Sequence, residues 1–203
     1  MKLKGANLTR LMGLVVSALL MQGCVANRMA DVKNTDVLPK TSPNEATVIF
    51  FRSNRFVGSG LASPIFDVSG PEPKFIGVLY AGKKLAYTAD TRRTKRFMVT
   101  TWSDEVLTGK WPADFLGADL EPHRTYFVRV ELGQTPRSGY TLTPISADDQ
   151  NVDESLDRTS WIRTTRKTQQ WADGNMVLFK RRLDEHVRLP GTHARSLTQK
   201  DGR

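Results

Sequence analysis

A single cysteine, Cys24, among 203 residues leaves no intramolecular disulfide, so the folded part must stand on packing alone even in an oxidising compartment. The same scarcity removes any cysteine-based zinc cluster. Only three histidines occur, His123, His186 and His193, widely spaced, with no H-E-x-x-H pattern and no glycine-rich phosphate loop. Neither a metal centre nor a nucleotide pocket is expected, and no cofactor is assigned. Gly58-Ser59-Gly60 lacks the full G-x-S-x-G pattern of a nucleophile elbow and reads as a flexible loop. His123, between Pro122 and Arg124, reads as decoration of a turn, and Asp67 and Glu72 as isolated, solvated acids. These absences argue against an enzyme. Acid is also in short supply, with 21 Asp and Glu against 30 Lys and Arg and a formal net charge of +9. Long apolar runs are missing too: the longest, residues 11–21, is about half of the roughly 20 residues a helix needs to cross a bilayer core.

What is present begins with that run. Residues 1–10 carry Lys2, Lys4 and Arg10 and no acid, and the apolar stretch follows directly, which is the order of a secretory signal. It closes on Leu20-Met21-Gln22-Gly23-Cys24, which resembles the lipobox of bacterial lipoproteins, with a small residue just before the cysteine. The resemblance implies a signal peptide over residues 1–23 and acylation of Cys24, whose several acyl chains would hold the chain stably in a membrane. Val25 rather than an aspartate follows, which by resemblance to the sorting rule of diderm bacteria implies the outer membrane, facing the periplasm. The alternatives are an ordinary cleaved signal or an uncleaved anchor. Residues 24–45 are polar, contain Pro39 and Pro43 and lack periodicity, so they read as a flexible tether reaching about 65 Å at full stretch.

Order is expected from residue 46. The β-branched and aromatic run 46–52 reads as a buried strand, followed by shorter strands at 64–68, 74–80, 85–88, 97–103 and 115–120. Residues 124–132 alternate, with Tyr126, Val128 and Val130 on one face and Phe127, Arg129 and Glu131 on the other, wetter one. The last strand, 140–146, contains Pro144, which makes it an edge strand or an interrupted one. Seven or eight short strands separated by turn signals, over residues 46–146, give a mainly β fold: an antiparallel sandwich or small open barrel.

Phe51-Arg52, the loop from Arg55 to Ser59, the pair Ile65-Phe66-Asp67 and Phe75-Ile76-Gly77, and the stretch from Leu120 to Val130 together resemble family 2846 of the domains of unknown function. The likeness spans roughly residues 46–146 and implies a β-sandwich carried largely by bacterial lipoproteins. It implies no activity.

Residues 147–190 form a helical C-terminal segment. A short helix over 147–157 is suggested by Val152 and Leu156, with Ser146 as a cap, whereas 158–172 fit a helix or a strand equally. Met176, Phe179, Leu183 and Val187 share one helical face within 175–189, and Pro190 ends it. Residues 191–203 read as a frayed tail.

Charge then points to partners. From Arg158 onward eleven Lys or Arg oppose four acids. The turn cluster Arg92, Arg93, Lys95 and Arg96 is a candidate anion or partner contact, set against its reading as a charged turn that keeps sheet edges apart. Lys180, Arg181 and Arg182 carry the same two readings, partner contact or the polar face of a packed helix. Trp111, in a loop between Lys110 and Pro112, is a candidate recognition aromatic. The expectation is a lipid-anchored, non-enzymatic envelope protein, held to the membrane through Cys24, that binds an envelope protein or another acidic partner. A direct lipopolysaccharide or anionic-phospholipid module, with the 175–189 helix lying on the lipid, is the alternative, and a hydrolase of envelope polymers a third. The periplasmic location argues against nucleic acid.

Overall fold

The computed structural model describes residues 29–32, 38–39, 41–54, 61–101, 113–133, 139–187 and 196–203. Among them eleven strands form two sheets. The strands are β1 (Ala30–Asp31), β2 (Glu45–Arg52), β3 (Ser63–Asp67), β4 (Lys74–Leu79), β5 (Lys83–Asp90), β6 (Lys95–Thr100), β7 (Ala113–Ala118), β8 (Thr125–Leu132), β9 (Tyr140–Ile145), β10 (Ser160–Arg163) and β11 (Ser196–Leu197). Three helices follow the main run of strands: α1 (Asn151–Asp157), α2 (Arg166–Gly174) and α3 (Met176–Val187). The first sheet runs β1-β10-β5-β2-β8-β9 and the second β11-β7-β6-β3-β4. The fold is thus mainly β, a two-layer sandwich with a helical C-terminal part and no closed barrel.

Strand alternation builds the core between the layers. Phe50 of β2 meets Phe97 of β6 edge-on, with ring centroids 5.2 Å apart, and Tyr87 of β5 meets the same Phe97 at 6.1 Å. Val48, Leu85, Val128 and Leu142 join Ile65, Val78, Val99 and Leu116 in one buried cluster. Both outer faces are also covered. Phe66 and Phe75 of the second sheet pack against Phe179 and Trp171 of the helices, at 4.5 and 6.1 Å. On the far side Ile49, Phe51 and Phe127 of the first sheet gather with Val152 of α1 and Trp161 of β10. Hence β2 is apolar on both faces, and Phe127 is buried although Arg129 and Glu131 beside it are half-exposed. Pro144 sits on the edge strand β9, where its missing N–H interrupts no central ladder.

Three strand pairs are parallel, β2 with β8, β5 with β10 and β7 with β11, which a purely antiparallel reading does not contain. A parallel partner needs a long return path, and most of the second sheet lies between β2 and β8.

Several boundaries differ from the sequence expectation. The tether is interrupted: Met29 is buried, and β1 pairs antiparallel with β10. The ambiguous stretch 158–172 divides into strand β10 and helix α2, which Thr165 caps through a hydrogen bond from the Thr168 N–H, 3.1 Å, reciprocated by the Thr168 hydroxyl. Helix α1 begins later than Ser146; Gln150 stands at its N-cap without a side-chain bond, and Asp149 instead accepts from the Asn151 N–H at 2.9 Å. The tail does not fray over 196–203. Leu197 is fully buried beside β7, and Arg203 exchanges two backbone hydrogen bonds with Thr125, of 2.6 and 3.0 Å. Gly202 lies so close to the Tyr126 ring that a Cβ would stand 2.7 Å from it, so only glycine fits there. Two strand residues and one glycine are too few to leave a periodic signal.

Candidate functional site

One end of the sandwich opens into a cleft of about 450 Å³, where β3 and β5 finish and β4 and β6 begin. Its lining includes Asp67, Glu72, Lys74, Asp90, Arg93 and Lys95.

Two local turns build it. Pro71 and Pro73 prevent the chain from continuing β3 directly into β4, and the departure is fixed by Asp67, which accepts from the Ser69 N–H at 2.9 Å and from the Ser69 hydroxyl. The second turn follows β5: Asp90 accepts from the Arg92 N–H at 3.0 Å and is clasped by the Arg92 guanidinium through Nε at 3.0 Å and Nη2 at 2.7 Å. That two-pronged geometry holds the Asp90 carboxyl well below the usual carboxylate range, the guanidinium bond first and the N–H second. It raises Arg92 in turn.

Asp67 is the floor of the cleft. It is only 6% exposed, and its second oxygen accepts from the Tyr87 hydroxyl of the opposite sheet at 2.8 Å, with Lys95 Nζ 3.7 Å away. Burial alone would push this carboxyl up. The Ser69 hydroxyl and N–H, the Tyr87 hydroxyl and Lys95 outweigh burial, and the net shift is downward. Burial and the adjoining Asp67 charge push the Tyr87 phenol far above its ordinary value. Asp67 therefore stays a carboxylate and Tyr87 a phenol across the neutral range, so neither is poised to exchange protons there.

The predicted basic residues separate in space. Arg92, Arg93 and Lys95 line the cleft, whereas Arg96, one residue on along β6, projects to the other face. There its guanidinium lies over the Phe115 ring at 4.5 Å, with Nε and Nη2 buried and without hydrogen-bond partners, and burial lowers its pKa. Lys180 pairs with Glu72 at the rim, and Arg181 approaches Glu185 one helical turn on, at 3.9 Å. Arg182 is no surface contact. It is 1% exposed and donates to Thr100 Oγ1 at 3.3 Å and to the Thr101 carbonyl at 3.0 Å, pinning α3 to the second sheet. Trp111 and Cys24 lie outside the described residues.

The sequence reading also misses members of the site. Asp67 is buried and paired and Glu72 is paired, where both were expected as isolated solvated acids; Lys74 and Tyr87 carried no signal of their own. Lys74 reaches the mouth because β4 pairs with β3 in a register that sets it opposite Asp67, and its ammonium lies 5.2 Å from the Tyr87 ring centroid. The Asp67-x-Ser69 spacing was the one local clue, since an aspartate commonly accepts from the N–H two residues on.

Of the four cations lining the cleft, Lys95 faces Asp67 and Arg92 holds Asp90. Lys74 and Arg93 have no carboxylate partner among the described residues. The cleft thus presents two uncompensated positive groups beside a fixed polar floor. Among the described residues no three His, Cys, Asp or Glu side chains are grouped to hold a metal. No family model matches the chain, and no curated protein matches it significantly.

Proposed function

We propose that the protein is a lipid-anchored, non-enzymatic binding module of the bacterial cell envelope. In this reading it is acylated at Cys24, faces the periplasm from the outer membrane, and takes an anionic group of a partner into the cleft between its sheets. The signal-like opening and the resemblance to family 2846 of the domains of unknown function support the anchored half. The observation that carries the binding half is that Lys74 and Arg93 both line the cleft and neither is ion-paired to a carboxylate among the described residues. A phosphate or carboxylate entering there would meet an arginine able to donate two parallel bonds and a lysine point charge. Asp67 and Tyr87, each locked in one protonation state, suit a binding floor better than an acid–base pair.

The lipid-surface reading of the last helix receives less support. Phe179 is fully buried and Met176 and Leu183 pack against the core, so the apolar stripe that would enter a bilayer is already occupied.

A photo-crosslinking residue in place of Gly70 at the cleft rim, used in intact cells, should capture one or a few envelope partners. The double substitution Lys74→Ala/Arg93→Ala should remove those adducts; an unchanged adduct pattern would sink the cleft as the contact. Cys24→Ser should release the chain from the membrane, and retention of that variant after alkaline extraction would require an uncleaved anchor instead.

A further inference from the structure

The described chain is fixed much closer to Cys24 than a 22-residue tether implies. Val32 N–H donates to the Trp161 carbonyl at 3.0 Å, Ala30 stands in register with Arg163, and Asp31 with Ile162. Met29 is buried, its methyl 3.1 Å from where a side chain on Gly77 would start. Only residues 25–28 separate Cys24 from Met29, a span of at most about 19 Å between the two Cα atoms at 3.8 Å per step. A compact domain of this length is roughly 40 Å across, so an acylated Cys24 would hold the sandwich within about half its own width of the bilayer. The edge of the first sheet, β1 with β10, is then the part of the domain tethered nearest the lipid.

That edge has a distinctive charge. Residues 158–172 contain Arg158, which is paired with Glu154, then Arg163, Arg166 and Lys167, and no acid. Arg163 is exposed beside Ala30, and Arg166 and Lys167 are exposed in the first turn of α2. The acid nearest in register, Asp31, is already held by Lys83 at 2.6 Å. The cleft is elsewhere: β10 pairs with the start of β5, at Lys83 and Lys84, while the cleft lies where β5 ends.

We propose that Arg163, Arg166 and Lys167 form a membrane-apposed surface that rests on anionic phospholipid headgroups, orienting the domain with its cleft free. The proposal rests on the anchoring of Cys24 given above. Each cation near an anionic leaflet strengthens docking about fivefold, and the short link from Cys24 keeps the surface at high local concentration. The geometry makes β1 the device that converts a lipid anchor into a fixed orientation.

Because Cys24 is the one cysteine, a maleimide-bearing phospholipid can be joined to the mature chain at that residue alone. The anchored chain is placed in vesicles of phosphatidylglycerol with phosphatidylethanolamine, or of phosphatidylcholine, and backbone hydrogen exchange is followed over residues 160–170. Slower exchange is expected on the anionic vesicles, with relief at high salt. Arg163→Gln/Arg166→Gln/Lys167→Gln should lower the docking equilibrium constant about a hundredfold and return exchange to the phosphatidylcholine rate. A long Gly/Ser insertion after Arg28 should weaken the protection without abolishing the anchor. Equal exchange on both vesicles would overturn the orienting surface and leave the anchor standing. Finding Cys24 unacylated in cells, read by mass, would overturn both.

Discussion

Two short basic runs that look alike in sequence do opposite work in the fold. Arg92, Arg93, Lys95 and Arg96 straddle a turn and the start of a strand, and Lys180, Arg181 and Arg182 lie along a helix. In the first run three side chains face an open cleft, and Arg93 remains uncompensated there. In the second, Lys180 and Arg181 are tied to acids and Arg182 is sealed beneath α3 against Thr100 and Thr101. Charge density alone did not distinguish cations that face an open cleft from one built into the core. The backbone period under each run did, because it decides which side of the element each cation faces.

The comparison is easiest to break at Arg182. Its replacement by alanine should destabilise the fold by about 2–4 kcal/mol, since it leaves the buried Thr100 hydroxyl and Thr101 carbonyl without this donor and opens a void. Thermal unfolding would register that as a Tm lower by roughly 10 °C. A variant that melts like the parent would return Arg182 to the surface class.

A smaller effect is expected within the cleft floor. Tyr87→Phe removes one hydrogen bond to a carboxylate, at about 1.5–3 kcal/mol. Asp67 adds a pH signature whose sign follows from its lowered pKa. Its stabilisation is fully present above the unfolded value of about 3.9 and is lost as pH falls through the lower folded value. In Asp67→Asn that acid-dependent loss disappears, so the stability gap between parent and variant should narrow as denaturant melts are taken from pH 6 down towards pH 3. A constant gap would remove Asp67 as the titrating group.

The smallest effect on stability belongs to Arg93. Arg93→Ala should leave Tm within about 2 °C of the parent while reducing capture of the cleft's partner. An equally stable variant with undiminished capture would show the first run to be as structural as the second.

Much of the fold was readable from alternation and turn residues. The run 46–52 announced a buried strand, and Pro144 an edge or an interrupted strand, of which the edge is found. The division of the first basic run was also within reach: with β6 beginning at Lys95 rather than at Phe97, a period of two sends Lys95 and Arg96 to opposite faces. Arg182 is three residues after Phe179 and one before Leu183, so the helical period places it beside the apolar stripe. What could not be read is whatever depends on distant pairing. Lys74 and Tyr87 come to the cleft through strand register, and the two-residue strands β1 and β11 have meaning only beside β10 and β7. Local pattern carries no information about such partners.

The three parallel pairings also have a kinetic consequence. Strand β2 cannot complete its ladder until β8 arrives, β5 waits for β10, and β7 waits for β11, each across a long intervening stretch of chain. Contacts so remote in sequence require loop closure before they give any stabilisation, and chains dominated by them fold slowly. The two layers therefore close late, once the partners of β2, β5 and β7 have been reached much further along the chain.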